Sequence, residues 1–260
     1  MTASTPSTEL VSETIDVPVA GGTADAFFTR PAARIPHPAV LIYMDAYGVR
    51  PALQAHAERL AKHGYCVFVP NVFYRSRRAP VLDNLEQLMR SEDRSALFGQ
   101  LKPMMAQITP ETAIDDGQAW LDFLRSRSEV LEGPIGTVGY CMGGRLSLRM
   151  AGEFADSVAA AASFHGGGLA TGEDDSPHLA AVRAAGELYI GHADNDGSMD
   201  PEQMGRLTRV LADAHVRHTA ELYVGAGHGW TQTDTPVYDE PAAERHWARL
   251  LELFDRVLKA

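Results

Sequence analysis

Apolar and polar positions alternate near the start of the chain. Thr14-Ile15-Asp16-Val17-Pro18-Val19 and Ala24-Asp25-Ala26-Phe27-Phe28-Thr29 flank Gly21-Gly22, the pattern of a β-hairpin. Six apolar runs follow: Ala39 to Tyr43, Tyr65 to Val69, Ile135 to Tyr140, Val158 to Phe164, Glu187 to Gly191 and Ala220 to Val224. Most are rich in Val, Ile, Tyr or Phe; Val158 to Phe164 is mostly alanine. Helical spacing separates them. Pro51 to His63 puts Leu53, Ala57, Leu60 and Ala61 on one face and stops at Gly64. Thr109-Pro110 opens a helix running to Arg125, with proline at its first position. Asp200-Pro201-Glu202-Gln203 opens another, to His215, and Asp239 to Leu258 forms a final amphipathic helix. This alternation predicts an α/β fold: a mostly parallel eight-stranded sheet with an N-terminal antiparallel hairpin and helices on both faces.

One segment breaks the rhythm. Residues 79 to 105 read as a helical excursion, a candidate cover for a site. Residues 1 to 10 read as a flexible tail, and 11 to 260 as a single domain without repeat or linker. Composition then narrows the function. The 260 residues are 45% hydrophobic, enough for a full core, and the formal net charge of −11 argues against nucleic acid or an anionic membrane as partner. Two cysteines do not make a disulfide framework, and Cys66 lies in an apolar strand run. The N-terminus lacks a basic and apolar leader pattern, so a reducing cytoplasm is expected, with Cys141 free. The expected partner is a small molecule, and the expected assembly a monomer or small homo-oligomer. No cofactor or metal is called for.

In such a sheet, chemistry collects at the carboxyl ends of the strands. Ile135 to Tyr140 ends in Gly139-Tyr140-Cys141-Met142-Gly143-Gly144. That is the strand-to-helix nucleophile elbow of α/β-hydrolases, with cysteine in place of serine. The glycines let strand and helix backbones approach closely, and a helix starting at Cys141 turns its N–H groups toward the sulfur. An acid and a histidine must follow in chain order. Asp194 follows the Glu187 run and His228 follows the Ala220 run, so the expected triad is Cys141, Asp194, His228. Asp196 is the rival acid; Asp200 reads as a helix cap. His165-Gly166-Gly167-Gly168 reads as a close-packed loop at the rim, because the lipase oxyanion motif precedes the nucleophile. Asp194 to Gly197 does not keep a calcium-loop register, and no zinc spacing occurs. Tyr47 and Trp230 flank the expected site.

From residue 13 to 258 the sequence resembles the dienelactone hydrolase (carboxymethylenebutenolidase) family of α/β-hydrolases, on the Gly-Tyr-Cys-Met-Gly-Gly elbow and the ordered Asp and His loops. The resemblance implies that Asp45, in Tyr43-Met44-Asp45-Ala46-Tyr47, contacts the thiol where the family carries a glutamate. It implies an oxyanion hole from the N–H groups of Met142 and Ala46, and a substrate carboxylate held by Arg75. Two positions depart from the family. Asp45 is one methylene short, and a second carboxylate-binding arginine is replaced by Gln232. Both point to a different or broader ester substrate.

The expected reaction is hydrolysis of an activated ester or enol lactone through an acyl-thiol intermediate, in the class of carboxylic ester hydrolases. A thiolate leaves more readily than an alkoxide, so adducts of ordinary esters collapse backward, whereas enol lactones and thioesters carry leaving groups that compete. The alternatives are a thioesterase or general carboxylesterase on the same triad, a silent binding protein with the same fold, and a redox role for Cys141, which lacks a nearby resolving cysteine.

Overall fold

The alternating N-terminal segments pair as β1 (Leu10–Val19) and β2 (Gly22–Pro31), antiparallel, with Val19 opposite Gly22 at the turn. The computed structural model describes residues 9 to 90 and 95 to 259, so the expected tail lies outside the described residues except at its end, where Leu10 already belongs to β1. The remaining strands are β3 (Ala39–Tyr43), β4 (Cys66–Pro70), β5 (Ile135–Tyr140), β6 (Val158–Phe164), β7 (Glu187–Ala193) and β8 (His218–Tyr223). They form one sheet in the order β1-β2-β4-β3-β5-β6-β7-β8. β2 pairs with β4 antiparallel, and every later pairing is parallel. The strands from β3 to β6 are buried on both faces, which is why they read as continuous apolar runs.

Among the described residues eight helices connect and flank them: α1 (Pro51–Lys62), α2 (Leu85–Arg90), α3 (Ser95–Met105), α4 (Pro110–Ser126), α5 (Met142–Glu153), α6 (Pro177–Ala181), α7 (Pro201–Asp213) and α8 (Glu240–Leu258). α4 starts on a capping box between Thr109 and Thr112, and Asp200 and Asp239 cap α7 and α8 through their side chains. The alternation of β5 assigns the faces. Tyr140 bonds His246 of α8 at 3.0 Å, and Gly136 lies against Phe254 and Leu258. Thr137 faces the other way and bonds Ser147 of α5 at 2.8 Å. Thus α8 packs on one face with α1, joined by Arg59 and Glu244, while α5 packs on the other with α4 and α6. Residues 79 to 105 contain α2 and α3, the expected helical excursion, with 91 to 94 outside the described residues. Among the described residues no helix is long and apolar enough to cross a membrane.

Candidate active site

Cys141 sits between β5 and α5 at φ 53° and ψ −117°, a left-handed conformation that a side chain adopts only under constraint. The constraint is close packing. A Cβ on Gly139 would collide with the Gly143 carbonyl, and one on Gly143 with the Tyr43 carbonyl of β3. The two glycines therefore let α5 press against the sheet and drive the turn that lifts Cys141 out of it. Cys141 N–H donates to Phe164 O and to His165 Nδ1, both at 3.1 Å. Met142 is the first residue of α5, so its N–H has no acceptor within the helix.

His228 comes from the loop after β8 and Asp196 from the loop after β7. His228 Nδ1 donates to Asp196 Oδ2 at 2.6 Å. The carboxylate bonded to His228 is therefore that of Asp196 and not that of the favoured Asp194. β7 runs two residues further than its apolar run suggested, through Ala193, so Asp194 lies at the strand exit. There its carboxylate accepts from Gly225 N–H at 2.8 Å and its own N–H donates to Ala226 O, joining the two loops. Asn195 then turns left-handed, φ 54°, and returns Asp196 to the imidazole. Asp196 also accepts from Ser198 N–H and Oγ at 2.9 and 2.6 Å.

These contacts set the charges. Burial opposes a proton on His228, but the bond to Asp196 and the facing Cys141 sulfur outweigh it and raise the imidazole to about 10. Burial likewise opposes charge on Asp196, but the bonds from His228 and Ser198 pull it down to about 2. His165 is the opposite case. Burial, reinforced by the His228 charge, keeps it well below the usual histidine range. It is thus neutral, accepting from Cys141 at Nδ1 and donating from Nε2 to Thr231 Oγ1 at 2.8 Å. The segment read as a rim loop therefore reaches under the nucleophile, while Gly167 and Gly168 line the cavity above it.

That cavity, about 570 Å³, opens directly onto Cys141 and His228. Ala46, Tyr47, Met142 and Gln232 line it, and Phe98, Leu101 and Met105 of α3 supply an apolar wall. Three expectations need correction. Asp45 lines the cavity, but its carboxylate is taken by Arg50, Oδ1 from Nη1 at 2.7 Å and Oδ2 from Nη2 at 2.9 Å, and by Tyr47 N–H at 2.9 Å. Among the described residues no hydrogen bond joins it to the sulfur. Arg75 is not at the cavity; it forms a two-point pair with Asp116 at 2.7 and 2.9 Å and lies over the Tyr74 ring. Trp230 is fully buried, stacked on Tyr223 with centroids 4.7 Å apart, and packs rather than lines.

Arg50 was not singled out from the sequence. Buried at 6% exposure, it also holds Asp234 at 2.6 and 3.1 Å and donates to Gln232 Oε1 at 3.3 Å. Burial works against its charge, but Asp45 and Asp234 hold its proton more firmly than usual. Arg50 stands just before Pro51, as the residue ahead of α1, and nothing local marks it as the partner of a carboxylate 184 positions away. Among the described residues no group of three His, Cys, Asp or Glu side chains is placed to hold a metal.

The sheet order and the cysteine elbow, with acid and histidine on the two following loops, define an α/β-hydrolase. The model of the dienelactone hydrolase family matches residues 24 to 258, and the chain belongs to that family. It is 27% identical over 224 residues to a carboxymethylenebutenolidase of Rhodococcus opacus, covering 84% of this chain and 81% of that one. Among solved structures it resembles a Klebsiella pneumoniae protein designated a dienelactone hydrolase, with TM-score 0.82, 20% identity and coverage of 95% and 99%. It also resembles a dienelactone hydrolase-like promiscuous phosphotriesterase from metagenomic libraries, with TM-score 0.74, 21% identity and coverage of 95% and 98%.

Proposed function

We propose that the protein hydrolyses activated esters or enol lactones through Cys141, His228 and Asp196. The observation that carries this reading is the His228–Asp196 pair facing a cysteine held in a strained elbow at the floor of an apolar cavity. An inert cysteine needs neither the strain nor a paired histidine.

His228 keeps its proton through neutral pH, Asp196 fixes the ring and its tautomer, and the form of Cys141 that attacks is the thiolate. The sulfur attacks the carbonyl carbon and forms the S–C bond. The oxyanion accepts hydrogen bonds from the N–H groups of Met142 and Ala46. Collapse breaks the bond to the leaving oxygen, which departs as an enolate and takes a proton from His228. The neutral imidazole then removes a proton from water, whose oxygen attacks the acyl-thiol. The thiolate is expelled as the acid product forms, and the protonated His228 is restored. Because a thiolate leaves more readily than an alkoxide, only activated acyl groups pass forward through the first adduct.

The test compares an enol lactone with a simple alkyl ester. The enol lactone turns over faster, and Cys141→Ala abolishes turnover of both. Equal rates for the two substrates would remove the leaving-group argument, and activity in Cys141→Ala would remove the nucleophile.

A further inference from the structure

The sheet order puts β6 between β5, which carries the nucleophile, and β7 and β8, whose loops carry its partners. His165 leaves the end of β6 into that gap. It is 1% exposed and left-handed, with φ 42°, and its N–H donates to the Gly191 carbonyl of β7 at 2.8 Å. Its ring packs between Tyr140, the residue before Cys141, with centroids 6.0 Å apart, and His228, at 5.3 Å.

Both ring nitrogens are engaged. Nδ1 faces the Cys141 N–H, which can only donate, so Nδ1 accepts and the neutral ring carries its proton on Nε2. Nε2 then donates to Thr231 Oγ1 at 2.8 Å. Thr231 is buried three residues past His228, and His56 of α1 donates to its carbonyl at 3.1 Å. One buried chain, His56 to Thr231 to His165 to Cys141, thus ties the loop after β8 to the elbow after β5. A residue that only fills space needs neither a left-handed backbone nor two polar partners. The Thr231 hydroxyl also selects the tautomer. Without it, Nε2–H is a buried donor with no acceptor there, and a proton moved to Nδ1 would point at the Cys141 N–H.

We propose that His165 is a positioning residue: held by Thr231 as the Nε2–H tautomer, it fixes the Cys141 elbow relative to His228. This rests on the hydrolase reading above. Its effect falls on the alignment of sulfur and imidazole, and so on kcat rather than on KM.

The test pairs Thr231→Val, which removes the hydroxyl, with Thr231→Ser, which keeps it. With an enol lactone, Thr231→Val lowers kcat about 10- to 100-fold and leaves KM within about threefold, while Thr231→Ser stays within about threefold of the wild type in both. Equal kcat in the two variants overturns the proposal. Alkylation of Cys141 by iodoacetamide, followed by peptide mass, needs no turnover and separates the two readings. Slower alkylation in Thr231→Val than in Thr231→Ser supports the positioning role even where the lactone is not hydrolysed, an outcome that rejects the hydrolase reading alone. Equal alkylation rejects the positioning role. Nitrogen-15 NMR of the wild type reads the tautomer without any variant. At pH 7 His165 shows a pyridine-like Nδ1 and a pyrrole-like Nε2. The reverse pattern, or two pyrrole-like nitrogens, overturns the proposal.

Discussion

At the scale of single residues, the site divides into groups that share charge and groups that only appeared to. Asp194 and Asp196 are two positions apart, yet one staples loops and the other holds the imidazole. Asp196→Asn should therefore lower kcat by about 100- to 10,000-fold through the wrong tautomer and the lost charge. Asp194→Asn should stay within about threefold, as a substitution away from the chemistry does. Parallel steady-state kinetics on the two variants decide the assignment, and equal losses would contradict it. Arg50 invites a stability measurement instead. Removing it as Arg50→Met leaves Asp45 buried without its partner, an expected loss of about 3–5 kcal/mol in urea unfolding. A loss below about 1 kcal/mol, the range of an exposed ion pair, would contradict a buried Arg50–Asp45 contact.

At the scale of elements, the elbow depends on α5 lying against β3. A methyl group at Gly143 meets the Tyr43 and Met44 carbonyls, which are backbone and cannot swing aside. Gly143→Ala should displace the start of α5, costing about 1–3 kcal/mol of stability and reducing kcat more than it changes KM. Unchanged kcat would show that the Met142 N–H does not depend on this packing. The elbow was legible in the sequence because its residues are adjacent and its glycines are required. So was His228, at the end of a recognisable strand. The acid was not settled, because apolar character fades at Gly191 while β7 continues to Ala193 and shifts the loop by two positions. The Arg75–Asp116 pair and the Arg50 cluster were invisible for a different reason. They join residues 41 and 184 positions apart, and no local pattern encodes such a meeting. The α3 wall fell within the segment read as a helical excursion, but which of its side chains reach the cavity depends on tertiary placement.

At the scale of the whole molecule, the histidines predict how stability varies with pH. Burial holds His56 and His192 at about 4, and His165 and His246 well below their usual range. The unfolded chain binds protons at these four positions near pH 6.5 and the folded one does not. Their contribution is fully present above 6.5 and is lost as pH falls toward 4, by up to about 1.4 kcal/mol per pH unit for each proton. His228 acts in the opposite direction. Its folded value of about 10 contributes stability below 6.5 that is lost as pH rises toward 10. Unfolding free energy should therefore peak near pH 6.5 and fall on both sides, and His228→Gln should flatten the alkaline limb. A curve still rising from pH 6.5 to 9 would contradict the charge assigned to His228.

The central claim is that Cys141 carries the acyl group. Rapid acid quench with an enol lactone, followed by intact mass and peptide analysis, tests it most directly. The expected result is a transient mass increase equal to the ring-opened acyl group, located on the Cys141 peptide, formed before product and absent from Cys141→Ala. Turnover with no adduct at any quench time, together with activity in Cys141→Ala, would contradict it.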